Sequence, residues 1–160
     1  MKQVIIAASV AMAAAALSTG ALAQQKKTVL SLATAKKMGE ACEALAKEKG
    51  WKLNIAILDT GGNLKYFVRQ DDAFMGSIQI AQLKANTSAM FPFSTKVVGD
   101  IAQRIPGIAH VPGLVTFEGG LPIMAGNGDQ VGSIGVSGAS AADDGLCAQA
   151  AIDAIKEDLQ

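Results

Sequence analysis

Apolar residues recur at three- and four-residue intervals through Leu32, Ala35, Met38, Gly39, Cys42, Leu45 and Ala46. That spacing places them on one face of a helix. It predicts a helix from Leu32 to about Lys49, with Ser31 as its N-cap and Gly50 as the residue that ends it. The pattern then changes period. Leu53, Ile55 and Ile57 alternate with Asn54, Ala56 and Leu58, so both faces are largely apolar, as in a covered strand. Asp59-Thr60-Gly61-Gly62-Asn63 supplies turn chemistry, and Leu64 to Arg69 returns as the second strand of a hairpin. Gly76-Ser77 opens a helix that runs to about Met90. Pro92 disfavours helical geometry at Phe91 and stops it. Ser94 or Thr95 caps a short helix ending near Arg104, and residues 105–113 form a loop with two Pro-Gly pairs.

Three short strands follow in the pattern: Leu114 to Glu118, Leu121 to Ala125 and Gln130 to Ser137. Gly126-Asn127-Gly128-Asp129 is a hairpin turn between the last two. Pro122 cannot donate to a ladder, which confines it to a strand start, an edge or a bulge. The last helix carries Asp143 and Asp144 in its first turn, where they complement the helix dipole. Its apolar stripe is Cys147, Ala150, Ala151, Ala154, Ile155 and Leu159. The order α-β-β-α-α-β-β-β-α predicts an α/β (α+β) fold: a five-stranded antiparallel sheet with helices packed on it.

The first 23 residues stand apart from this pattern. Lys2, an apolar stretch from Val4 to Leu17 and Ala21-Leu22-Ala23 read as the three parts of a secretory signal peptide. Residues 24–160 are then the mature chain, a single domain that is periplasmic or secreted, with no membrane span after cleavage. Half of the 160 residues are apolar and 18% are charged, which suits a folded domain. The formal net charge is zero, so nothing in it predicts a nucleic-acid partner or an anionic membrane surface.

Four segments in order carry a resemblance: Asp59-x-Gly61-Gly62-x-Leu64; Ile80-Ala81-x-x-Lys84-Ala85; Gly119-Gly120-Leu121-Pro122-Ile123; and Val131-Gly132-Ser133-Ile134-Gly135-Val136-Ser137-Gly138. Together with Cys147-Ala148 they resemble the GlcG/HbpS-like haem-binding family over the whole mature chain. The resemblance implies an α/β fold with a five-stranded antiparallel sheet, homo-oligomeric assembly and haem as a cofactor in at least some members. Other members resemble modules attached to corrinoid-related or glycolate-utilisation systems.

His110, the single histidine, lies in the Pro-Gly-bracketed loop and is the candidate ligand to haem iron. The alternative is an ordinary loop histidine. Met75, Met90, Met124 and Tyr66 are other side chains of a ligating type. One histidine and two distant cysteines exclude a multi-histidine zinc site and a zinc knuckle. Arg69, Lys84, Lys96 and Arg104 could pair with the carboxylates of haem or of an organic acid. For Arg69 and Lys84 a solvated face or an ion pair with Asp59, Asp71 or Asp72 stands beside that reading. Phe74, Met75, Phe91 and Phe93 line either an apolar pocket or the core. Gly119 and Gly120, ahead of Pro122, allow a ligand close to the backbone or form a β-bulge at a sheet edge. Gly126-Asn127-Gly128 lacks the third glycine of a dinucleotide fingerprint, and nothing orients a triad of Ser137, His110 and an aspartate.

Cys42 and Cys147 each fall on an apolar helix face. Export permits a disulfide between them, and two buried free thiols are the other possibility. Three functions remain open. The chain is a haem-binding protein that stores, senses or shields haem. It is an enzyme or binding protein for a small organic acid or corrinoid-related ligand, with Lys84 and Asp59 or Glu118 in acid–base roles. Or it is a structural oligomeric accessory subunit.

Overall fold

The computed structural model describes residues 28–159. The expected signal peptide lies outside the described residues. The elements are α1 (Leu32–Lys49), β1 (Asn54–Asp59), β2 (Leu64–Arg69), α2 (Gly76–Met90), α3 (Thr95–Arg104), β3 (Gly120–Met124), β4 (Gln130–Ser137) and α4 (Ala141–Asp153). Short 3-10 turns occupy Pro106–His110 and Lys156–Leu159. Among the described residues no helix is long and apolar enough to cross a membrane.

The sheet has strand order β2-β1-β4-β3, with every neighbour antiparallel. It has four strands, not five. The expected strand from Leu114 to Glu118 runs outside the sheet as an irregular segment that bends at Phe117 and Glu118. Its backbone is drawn to helices instead: the Val115 N–H donates to Thr87 Oγ1 at 2.9 Å, and the Thr116 carbonyl packs where a side chain at Gly99 of α3 would stand. β3 is therefore an edge strand, which is where a proline such as Pro122 is tolerated. Nor is the 105–113 stretch loop throughout, because Pro106 presets its φ for the short 3-10 turn ending at His110.

Helices cover both faces of the sheet. On β1, Ile55 and Ile57 join Met38, Cys42, Cys147 and Ala151 in one core, against α1 and α4. Ala56 and Leu58 point the other way, onto Ala81 and Ala85 of α2. This is the two-faced burial that the apolar alternation of residues 53–58 predicts. The helix ends also follow the sequence. Ser31 Oγ accepts the Thr34 N–H at 3.0 Å, and Gly50 ends α1 in the left-handed region. Ser94, rather than Thr95, caps α3 through the Val97 N–H. Cys42 and Cys147 are joined in a disulfide, Cα–Cα 4.9 Å, which ties α1 to α4.

Candidate functional site

The buried positions of α2 include Ser77, Ala81, Lys84, Ala85 and Ser88, at helical spacing toward the sheet. Small residues bring this helix close. A side chain at Gly135 of β4 would collide with the Ala81 carbonyl and the Ala85 backbone nitrogen. In that interface Lys84 is fully buried. Its Nζ donates to Asp144 Oδ2 at 2.7 Å and to the Val136 carbonyl at 3.0 Å. The other oxygen of Asp144 accepts the Ala139 N–H at 3.0 Å. The Phe117 ring closes the remaining side, its centroid 4.8 Å from Nζ, a cation–π arrangement.

Two glycines make room for this pair. Gly119 has φ +126°, and a Cβ there would stand 2.6 Å from both Lys84 Nζ and the Val136 carbonyl oxygen. A Cβ on Gly120 would meet the Lys84 carbonyl and the Thr95 methyl, each at 2.5 Å. The Gly120 N–H donates to Thr95 Oγ1 at 2.9 Å. Burial pulls the Lys84 ammonium below its ordinary pKa, and burial pushes the Asp144 carboxyl above its own; the bond between them works against both shifts. The expected acidic partners Asp59, Asp71 and Asp72 are not the ones that pair with Lys84. Asp59 is held in its own turn, where Oδ1 accepts the Gly61 N–H at 2.8 Å and the Asn63 N–H at 3.0 Å, so the turn itself uses the carboxylate.

On the outer side of Phe117 lies an open pocket of about 480 Å³ between α3 and residues 116–118. Lys96 and Glu118 line it and pair at 3.3 Å.

A second, wholly apolar crevice of about 310 Å³ opens where α2 hands over to α3. Phe91 and Phe93, Val98 and Ile101 of α3, and Ile108 and Val111 at the 3-10 turn line it. Phe91, Phe93 and Val111 are partly exposed at its rim. His110 stands between Ile108 and Val111 in the chain and is exposed. Arg104 is in the last turn of α3.

The remaining candidates are elsewhere. Arg69 lines a polar groove with Glu40, Glu43, Lys47, Trp51 and Asp71, and its guanidinium donates to the Ala73 carbonyl at 3.4 Å. Phe74 and Met75 are exposed ahead of α2 and line neither the crevice nor the pocket beside Phe117. Tyr66 packs its ring over Gly39 of α1, and burial raises its phenol pKa. Met90 and Met124 are exposed. Pro122 is half-buried in β3, paired with Ser133. The structure thus brings Lys84, Gly119 and Gly120 together, while Phe91 lines the separate crevice and His110 is exposed on the turn whose Ile108 lines it. Among the described residues no group of three or more His, Cys, Asp or Glu side chains could hold a metal ion.

Sequence reasoning missed Asp144 and Phe117. Asp144 had a readable signal. It precedes Cys147, Ala148 and Ala151 by three, four and seven residues, so it lies on the apolar stripe rather than on the solvent side of the first turn. Phe117 had none, since its segment belongs to no regular element.

Comparison with known proteins fits this architecture. An uncharacterised 15.0 kDa protein of the dhaT-dhaS intergenic region of Citrobacter freundii is 36% identical over 140 residues, which is 83% of this chain and 96% of that one. The crystal structure of HbpS superposes with a TM-score of 0.76 at 28% identity, covering 82% of this chain and 93% of HbpS. That of the PduOC:haem complex gives 0.74 at 30% identity, covering 80% of this chain and 96% of that one. The family model of the HbpS-like haem-degrading proteins matches residues 30–153, a span that includes Lys84, Asp144 and the crevice residues, and the chain belongs to that family.

Proposed function

We propose that the mature chain, residues 24–160, is an exported haem-binding protein that stores, senses or shields haem and works as a homo-oligomer. The observation that carries this reading is the wholly apolar crevice beside the single histidine. An apolar, aromatic-rimmed opening suits the edge of a porphyrin, and an exposed imidazole on the adjoining turn is a haem-iron ligand type. Arg104, one helical turn beyond Ile101, supplies a cation for a propionate. The PduOC:haem complex is a relative with haem bound, which supports the cofactor. The disulfide supports export, because such bonds persist in oxidising compartments.

A hemin titration of residues 24–160 beside His110→Ala tests the reading. The expected result is a saturable, stoichiometric Soret band that shifts or is lost in the variant. No saturable band in the unaltered protein overturns it. A saturable band identical in the variant keeps haem and removes His110 from the iron. Decay of the Soret band on adding a reductant in air would add haem degradation, the activity in the family's description.

A further inference from the structure

Lys84 is fully buried, and Phe117 touches both its ammonium and the open pocket beside α3. Its ammonium has three N–H donors, and oxygen acceptors meet two of them, Asp144 and Val136. The remaining side faces the Phe117 ring at 4.8 Å. Phe117 is 46% exposed and lines the open pocket of about 480 Å³. Phe117 belongs to a segment outside the sheet, between the Val115 N–H bonded to Thr87 and the Gly119 carbonyl bonded to the Val136 N–H at 2.8 Å. No sheet ladder holds that ring in place.

We propose that Phe117 is a gate and that Lys84, with Asp144 as its proton acceptor, is an amine site for a small carbonyl compound entering through this pocket. The chemistry follows from the pair. At 2.7 Å the ammonium passes a proton to Asp144, which leaves a neutral amine with a lone pair. Burial favours the neutral form of both partners. The nitrogen adds to the carbonyl carbon as the C=O π pair moves onto oxygen, and one N–H proton passes to that oxygen to give a neutral carbinolamine. Asp144 then returns its proton to the departing hydroxyl, which leaves as water, and the nitrogen–carbon bond becomes an iminium beside the restored carboxylate. Gly119 is what lets the amine and the carboxylate sit together here, because a Cβ there would stand 2.6 Å from Nζ and 2.9 Å from the Asp144 Cβ. The pocket walls suit a small, uncharged carbonyl compound better than an anion, since Asp100 and Glu118 outnumber Lys96 among its charged linings. This site shares no lining residue with the crevice beside His110, so its test is independent of haem.

The experiment uses propionaldehyde with sodium cyanoborohydride at neutral pH on the intact protein, with peptide mass mapping of each lysine over time. Reduction of the iminium leaves a stable secondary amine that marks the residue. The expected result is alkylation at Lys84 that is faster in Phe117→Ala by about tenfold, the size of a lost desolvated cation–π contact. Surface lysines, unchanged in rate, are the internal reference. Phe117→Leu keeps apolar bulk without a ring face and should fall between. Lys84 labelled only in the Phe117 variants, with their thermal midpoints retained, also supports a gate. Lys84 unlabelled in all three proteins overturns the amine site, and equal labelling in all three overturns the gate.

Discussion

The disulfide of Cys42 with Cys147 and the ion pair of Lys84 with Asp144 are both fully buried, and both end on α4. They differ in what they join and in what they cost. The disulfide connects α1 to α4 on one face of the sheet, among Met38, Ala46, Ile55 and Ala151, and has no polar group to satisfy. The ion pair connects α4 to α2, which packs on the opposite face, past the space left by Gly119. Each of its charges loses water on folding, and the other charge is the main offset. A covalent tie acts chiefly by restricting the unfolded chain. The ion pair acts within the folded chain, by making one arrangement of the two helix layers satisfy both charges and every other arrangement leave one bare.

The largest expected effect comes from breaking the ion pair on one side. Lys84→Ala or Asp144→Ala strands a buried charge and should cost about 3–5 kcal/mol in urea unfolding. Lys84→Met combined with Asp144→Leu removes both charges and should recover most of that loss. A single variant within about 1 kcal/mol of the unaltered protein would contradict the pair's burial. Opening the disulfide ranks next. Cys42→Ala with Cys147→Ala should lose about 2–4 kcal/mol, as expected for a bridge that closes a long loop. Two free thiols in the unaltered protein, found by alkylation under denaturing, non-reducing conditions, would show that the bridge does not form.

The two ties were not equally legible. The cysteines announce themselves, and the apolar stripes at Cys42 and at Cys147 placed both on buried helix faces. What stripes alone left open was whether those helices are neighbours. The ion pair was written in the same stripes, as a lysine at Ala81 plus three and an aspartate at Cys147 minus three. It was harder to read because charge in a first helical turn ordinarily complements the dipole in solvent. The helices and the hairpin were legible through period and caps. The segment from Leu114 to Glu118 was not: its β-like pattern is real, but Thr87 and α3 compete for its backbone, and those partners lie far away in sequence. The crevice beside His110 was half legible: Phe91, Phe93 and the histidine stood out, while Val98 and Ile101 of α3 drew no notice, because their role depends on α3 lying against the 3-10 turn.

The smallest effect contrasts two aspartates. Asp59 is partly buried at the end of β1, and the Asn63 N–H, with the Gly61 N–H, holds its carboxyl below the ordinary aspartate value. Asp144 is shifted the other way, by burial. A carboxyl whose folded pKa is depressed contributes stability above its unfolded pKa and loses it as pH falls through the folded value. Asp59 should therefore support the β1–β2 hairpin at neutral pH and release it only below the ordinary aspartate range. For Asp144 the direction is reversed, burial raising its carboxyl against the pull of the Lys84 ammonium. Carboxyl-carbon NMR titration should find Asp59 titrating below, and Asp144 above, the ordinary value. Asp59→Asn should shift the acid-unfolding midpoint slightly upward, because the charge that prefers the folded turn is gone. If Asp59 instead titrates at its ordinary value, the turn bonds are not made in solution and the hairpin is held by its cross-strand pairs alone.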